Sequence, residues 1–300
     1  MPRIRYIQKR FMPDSRDVIE KANIIIEEYQ SQGYRLTLRQ LYYQFVARDW
    51  LANRQQNYKR LGGILSDARY AGQVDWHAIE DRTRNLRDNS HWDNPGEIIT
   101  GSAEQYQIDK WSTQPRRVEV WIEKDALCGI LDAVCPELDV PYFSCRGFGS
   151  TSEMWRAARR FESNEGSSQE TVVLHLGDHD PSGINMTEDI RKRMQTFNIE
   201  SVEIRRIALN MDQVDEYDPP PNPAKETDSR FASYSAEFGD ECWELDALEP
   251  AVLTQLIRDQ VELLRNDNLY SVQVALEAEH REQLQGVADN WDSVVEGLEL

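Results

Sequence analysis

The chain has 300 residues, enough for two units that each bury a core, and 40% of them are hydrophobic. No apolar run approaches the ~20 residues that span a bilayer, and the opening segment MPRIRYIQKRFMPDSRD lacks the apolar stretch of a secretory signal, so the expectation is a soluble cytoplasmic protein. The net charge of −19 argues against a surface basic all round, but residues 1–100 hold 16 Lys+Arg against 13 Asp+Glu, while the remainder holds 18 against 40.

Residues 15–32 predict a helix, because Val18, Ile19, Ala22, Ile25, Ile26 and Tyr29 recur at i, i+3, i+4 spacing and Gly33 stands where a left-handed residue ends such a helix. Thr37 is a ready N-cap for a second helix over 38–50, and a third covers about 55–70, ending near Gly72. The stretch 74–84 reads as a turn and a short extended piece. Three helices followed by a small hairpin outline a winged helix-turn-helix, whose third helix ordinarily enters the major groove. Residues 88–115 are polar, with Asn, Pro and Gly, and read as a linker and entry segment.

From 117 onward strands alternate with helices. Strands are expected at 117–122, 140–144, 171–177 and 202–209, and helices at 126–134, 152–162 and 184–196. That alternation specifies a parallel α/β sheet, whose sites lie at the carboxyl ends of the strands. The stretch 211–240 reads as loop, with prolines at 219, 220, 221 and 223, and the tail as two helices over 251–265 and 270–297. The domain division is 1–100, a helical DNA-binding unit, and 101–300, the α/β unit with its helical extension.

Two strand ends carry acids. The first strand runs into Glu123, in VEVWIEKDAL, and the third into Asp178 and Asp180, in TVVLHLGDHDPSG. Aspartates two residues apart on extended chain point the same way, and neighbouring strand ends bring all three carboxylates together. Clustered carboxylates repel one another unless a cation intervenes, and a hard oxygen set favours Mg²⁺ or Mn²⁺. As simple helix caps facing solvent, the same acids would need no metal. The four cysteines, Cys128, Cys135, Cys145 and Cys242, form no CxxC pair and suggest neither zinc nor a disulfide framework. On the second helix Leu38, Leu41, Tyr42, Phe45 and Val46 make the core-facing stripe. Tyr43 is turned ~100° off that stripe, onto an exposed face shared with Arg39, where a guanidinium beside the phenol suits attack on a phosphodiester and favours phenolate character. Arg54, Lys59, Arg60 and Arg69 on the third helix, with Arg82 and Arg84 after it, are the candidate phosphate contacts.

These segments resemble the Toprim domain, and more closely the A subunit of DNA topoisomerase VI and the related meiotic double-strand-break protein. The likeness is carried by Glu123-Lys124-Asp125-Ala126, by Asp178 to Gly183 as Asp-x-Asp-Pro-x-Gly, by the glycine loop Arg146-Gly147-Phe148-Gly149, and by Arg39-Gln40-Leu41-Tyr42-Tyr43. It covers about residues 35–85 and 117–210, and the shortness of the chain is similar to stand-alone Mini-A-like members found in mobile elements. The resemblance implies a winged helix followed by a Toprim sheet, and Tyr43 as the nucleophile that becomes linked to a 5′ DNA end. It also implies Mg²⁺ held by Glu123, Asp178 and Asp180, double-strand breakage by a homodimer, nucleoid association, and a separate ATPase B-type subunit, since no ATPase motif is present here. Two other readings remain open: a hydrolytic Toprim nuclease in which Tyr43 is structural, and a DNA-binding or assembly protein without catalysis. Only seven of the 34 basic residues are lysine; abundant carboxylates with arginine in place of lysine suit a salt-loving source, where the Debye length at molar salt is ~3 Å.

Overall fold

The computed structural model describes residues 3–80 and 91–298. The chain opens with α1 (Pro13–Ser31), α2 (Leu38–Ala47) and α3 (Gln55–Tyr70), and α4 (Pro95–Gln105) follows. The sheet unit then runs β1 (Arg116–Ile122), α5 (Cys128–Leu138), β2 (Tyr142–Ser144), α6 (Thr151–Gly166), β3 (Glu170–Leu176), α7 (Pro181–Thr196) and β4 (Val202–Ala208). Beyond it come α8 (Met211–Tyr217), β5 (Asn222–Pro223), α9 (Phe231–Phe238), β6 (Glu241–Cys242), α10 (Pro250–Leu264), α11 (Asp267–Asp289) and α12 (Trp291–Gly297). Short 3-10 turns occupy Asp125–Leu127 and Leu245–Ala247.

The first three helices form where the apolar spacing places them. The α2 start is fixed by a capping box: Thr37 accepts from the Gln40 amide while Gln40 Oε1 accepts from the Thr37 amide at 2.8 Å. Gly33 follows α1 with φ +85°, as its place after the periodic stripe predicts. The α1–α3 faces close a core of their own, from Phe11 to Ala78, with Ile25, Leu36, Leu41 and Phe45 essentially sealed from solvent. The expected hairpin after α3 is not formed among the described residues: an isolated parallel bridge joins Leu36 to Ile79, and 81–84 lie outside the described residues.

The sheet is four-stranded and wholly parallel, in the order β2-β1-β3-β4. Its strands are apolar on alternate faces. Val118, Val120 and Ile122 with Val172, Leu174 and Leu176 pack toward α5 and α10, while Trp121 and Val173 pack toward α6 and α7. Fully burying side chains of this size contributes ~1.5–3 kcal/mol each, and both faces are covered as parallel sheets require. The chain moves outward from β1 in one direction and from β3 in the other, so the β1/β3 boundary is the switch point of the sheet.

Two stretches read as irregular are partly helical. Within 88–115, Asn94 accepts from the Glu97 amide at 3.1 Å and Pro95 takes the first helical position, which starts α4; its partner α11 is far off in sequence. Within 211–240 the prolines are confined to 219–223, leaving room for α8, started by an Asn210–Gln213 capping box, and for α9. The tail breaks into α10, α11 and α12. Among the described residues no helix is long and apolar enough to cross a membrane.

Candidate active site at the strand ends

The switch point carries the acids. β1 and β3 pair in register up to Ile122 opposite Leu176, so the next residues of each, Glu123 and Gly177, emerge together. The Glu123 amide donates to the Leu176 carbonyl at 2.8 Å, and Glu123 Oε2 accepts the Asp178 amide at 2.9 Å. Asp180 caps α7, its Oδ1 accepting from the Gly183 amide at 2.6 Å, and Pro181 follows at the first helical position. Gly183 is required by close approach: a Cβ there would lie 2.2 Å from the Asp178 carbonyl oxygen and 3.1 Å from Glu123 Oε2. The Asp-x-Asp-Pro-x-Gly run is thus a folded turn with a use for every named residue, and Asp180 does serve as a cap.

Two resident cations stand beside the acids, one on the Asp178 carboxylate and one on the backbone of the turn. Lys124 Nζ lies 2.8 Å from Asp178 Oδ1, 2.9 Å from Glu244 Oε2 and 2.6 Å from Asp246 Oδ1. The Arg206 guanidinium donates to the carbonyls of Gly177 (2.8 Å), Asp178 (2.6 Å), Gly183 (3.0 Å) and Leu209 (3.1 Å) and to Thr187 Oγ1 (3.1 Å), tying the turn to β4. Burial pushes the Asp178 carboxyl up to about 7, against the pull of Lys124, with Glu123 and Asp246 adding to the rise. Glu123 is raised too, by burial and by Asp180. Burial draws Arg206 down to about 10 although three acids oppose it. Glu244 is held down at about 2, its burial outweighed by Lys124 and Arg39.

Glu244 and Asp246, which the sequence reading did not single out, lead from this cluster to the tyrosine. Arg39 pairs with Glu244, and its Nε lies 2.9 Å from Asp246 Oδ2. The same guanidinium sits 5.8 Å over the Tyr43 ring. Tyr43 is off the helical core, as its position on α2 predicts, but it is not exposed: it is 3% accessible, covered by the turn at 244–247. The expected phenolate character is corrected with it. Burial, Glu244 and Asp246 raise the phenol well above its ordinary value, and Arg39 offsets only part of that. Tyr42 is structural, its hydroxyl accepting the Arg54 amide at 2.7 Å.

Of the candidate phosphate contacts, Arg54, Lys59 and Arg60 are exposed and make no ion pair among the described residues. Arg69 is half-buried and engaged within the helical unit, donating to the Trp76 carbonyl at 2.8 Å with its guanidinium 4.9 Å over the Trp76 ring. Arg82 and Arg84 lie outside the described residues. Arg146, in the loop after β2, is exposed and pairs with Asp125 at 3.2 Å.

Among the described residues no group of three or more His, Cys, Asp or Glu side chains is preassembled to hold a metal ion. The donor chemistry nevertheless suits a hard cation, since one oxygen each of Glu123, Asp178 and Asp180 accepts no hydrogen bond among the described residues. Comparison of the chain with protein-family models, with curated proteins and with solved structures gave no match.

Proposed function

We propose that this protein is a DNA-cleaving transesterase of the topoisomerase VI A type. The observation that carries the reading is one chain of contacts, Tyr43–Arg39–Glu244/Asp246–Lys124–Asp178, running from the tyrosine to the acids at the sheet's switch point. In this reading the Tyr43 hydroxyl attacks a backbone phosphorus. The Tyr43 Oη–P bond forms, the bond from phosphorus to the 3′ oxygen breaks, the phenol proton passes to water and the 3′ oxygen takes one up. Arg39 grips the phosphate oxygens, and Lys124 holds Asp178 in place. Glu123, Asp178 and Asp180 are the residues that would hold Mg²⁺, or Mn²⁺, which when bound offsets phosphate charge. The winged-helix and Toprim identities, double-stranded DNA as substrate, a homodimer cutting both strands, and a separate ATPase subunit belong to the same proposal.

The test is a denaturing gel for covalent protein–DNA adducts formed with Mg²⁺ and duplex DNA. Wild type should form adducts, Tyr43→Phe and Asp178→Ala should form none, and Tyr42→Phe should retain them at a stability cost of ~1 kcal/mol for the lost hydroxyl contact. The burial of Tyr43 favours one alternative, a hydrolytic Toprim nuclease with a structural tyrosine. Cleavage by Tyr43→Phe at the wild-type rate without adducts would establish it.

A further inference from the structure

The helical unit and the sheet unit do not share a core. The buried cluster from Phe11 to Ala78 and the one from Trp111 to Leu264 have no member in common. Beside α2, where the 244–247 turn covers the Tyr43 ring, the polar contacts joining them are Arg39 with Glu244 and Asp246, Asn53 with Asn222, and the Tyr34 hydroxyl with Thr254 Oγ1 at 3.3 Å. Next to these contacts lies an open cleft of about 330 Å³, lined by Tyr34, Arg35 and Gln40 on one side and Ala126, Ile130 and Pro250 on the other. Small polar contacts between separately cored units permit relative motion. Tyr43 is shut in at this seam and belongs to none of the apolar clusters. The acidic turn cannot be the part that swings. Leu245 is wholly buried, Trp243 and Leu248 sit in the sheet-unit core, and the Leu245 amide donates to Asp178 Oδ1 at 2.7 Å. Arg39, by contrast, is 45% exposed on its side chain, within reach of competing ions.

We propose that Glu244 and Asp246 are a clasp that occupies Arg39 in place of a DNA phosphate, and that a phosphodiester competing for Arg39 releases the helical unit and uncovers Tyr43. The purpose of the clasp rests on the transesterase reading; its geometry does not. A carboxylate pair offers a guanidinium closely spaced anionic oxygens, as a phosphate does, so the exchange keeps Arg39 paired before and after. The turn then acts as a guard, keeping the nucleophile covered until the polyanion it attacks is at hand.

Tyrosine nitration by tetranitromethane, mapped by peptide mass, reads the clasp without DNA. Tyr6, 67% exposed, is the internal standard, and Tyr42, 4% exposed in the helical core, reports the integrity of the fold. Glu244→Gln should raise Tyr43 labelling relative to Tyr6 by up to about fivefold, the size expected for one exposed ion pair, and leave Tyr42 protected. Rising KCl should do the same to the wild type by screening the pair. If Tyr43 stays as protected as Tyr42 in both, the clasp is overturned. If Glu244→Gln loses Tyr42 protection as well, the wild-type salt series decides alone: Tyr43 rising by itself supports the clasp, and no rise overturns it. Adduct gels on the same proteins separate the two ideas. Tyr43 that opens but never joins DNA leaves the clasp standing and removes the transesterase reading. Adducts formed equally by wild type and Glu244→Gln, with Tyr43 labelling unmoved, do the reverse.

Discussion

Among single residues, the buried cations and imidazoles around the third strand have consequences that a solution experiment can read. His175 is fully buried with Nδ1 2.9 Å from Thr187 Oγ1, and burial, aided by Arg206 and Arg191, holds its imidazole down at about 3. The unfolded imidazole takes up its proton near the ordinary value of ~6.5. Between those two values the unfolded state binds more protons, so the contribution of His175 to stability is complete above ~6.5 and is lost as pH falls, at about 1.4 kcal/mol per unit. Asp178, raised to about 7, works in the opposite sense, since its protonation on acidification favours the fold. His175→Gln keeps a partner for Thr187 but does not titrate, so urea unfolding between pH 6.5 and 4 should show a smaller loss of stability in the variant than in the wild type. Equal losses would mean that His175 is protonated inside the fold. Glu123, Asp178 and Asp180 were legible in the sequence because strand ends next to a turn advertise themselves. Glu244, Asp246 and Arg206 were not. The first two sit in a segment with no periodicity, more than sixty residues past the motif they touch, and Arg206 looks like an ordinary outward-facing residue of RRIA until its partners are seen to be strand-end carbonyls.

Whole elements divide along the same line. Helices with a regular apolar stripe and strands with apolar runs were read within a few residues. The polar α4 and α8 were missed because their partners, not their own periodicity, stabilise them, whereas α9 carries its own stripe of Phe231, Tyr234 and Phe238, hidden in a short stretch beside four prolines. The facing argument on α2 was half right for a related reason: helical period puts Tyr43 off the core, but it cannot say that another unit will cover that face. Arg54, which precedes α3, and Lys59 and Arg60 on it are exposed and form a basic edge of the helical unit. If that edge meets DNA, Lys59→Ala and Arg60→Ala should each weaken binding about equally across sequences and lower the slope of log affinity against log salt by roughly one. Arg69→Ala should instead lower stability, through loss of its Trp76 contacts, and leave the slope unchanged. Fluorescence anisotropy over a salt series distinguishes the two behaviours.

For the molecule as a whole, charge and modularity matter most. The charge of −19 is concentrated after residue 100, so at low ionic strength the sheet unit repels the polyanion that the helical unit is proposed to engage. If the acidity is an adaptation to salt, folding by circular dichroism and DNA affinity should persist or peak at molar KCl. A protein that binds most tightly in dilute buffer and fails well below molar KCl would refute that origin. The separation of the two cores has a genetic consequence as well. If the proposed homodimer forms, a tyrosine on one body and carboxylates on another would let one chain's tyrosine meet the other chain's acids, in place of the contacts each makes within its own chain. Mixing Tyr43→Phe with Asp178→Ala, each inert alone, should then give mixed pairs in which one composite centre carries both lesions and the other carries none. Such pairs should nick a labelled duplex on one strand only. A mixture as inert as its parents would mean that each chain reacts through its own tyrosine and its own acids.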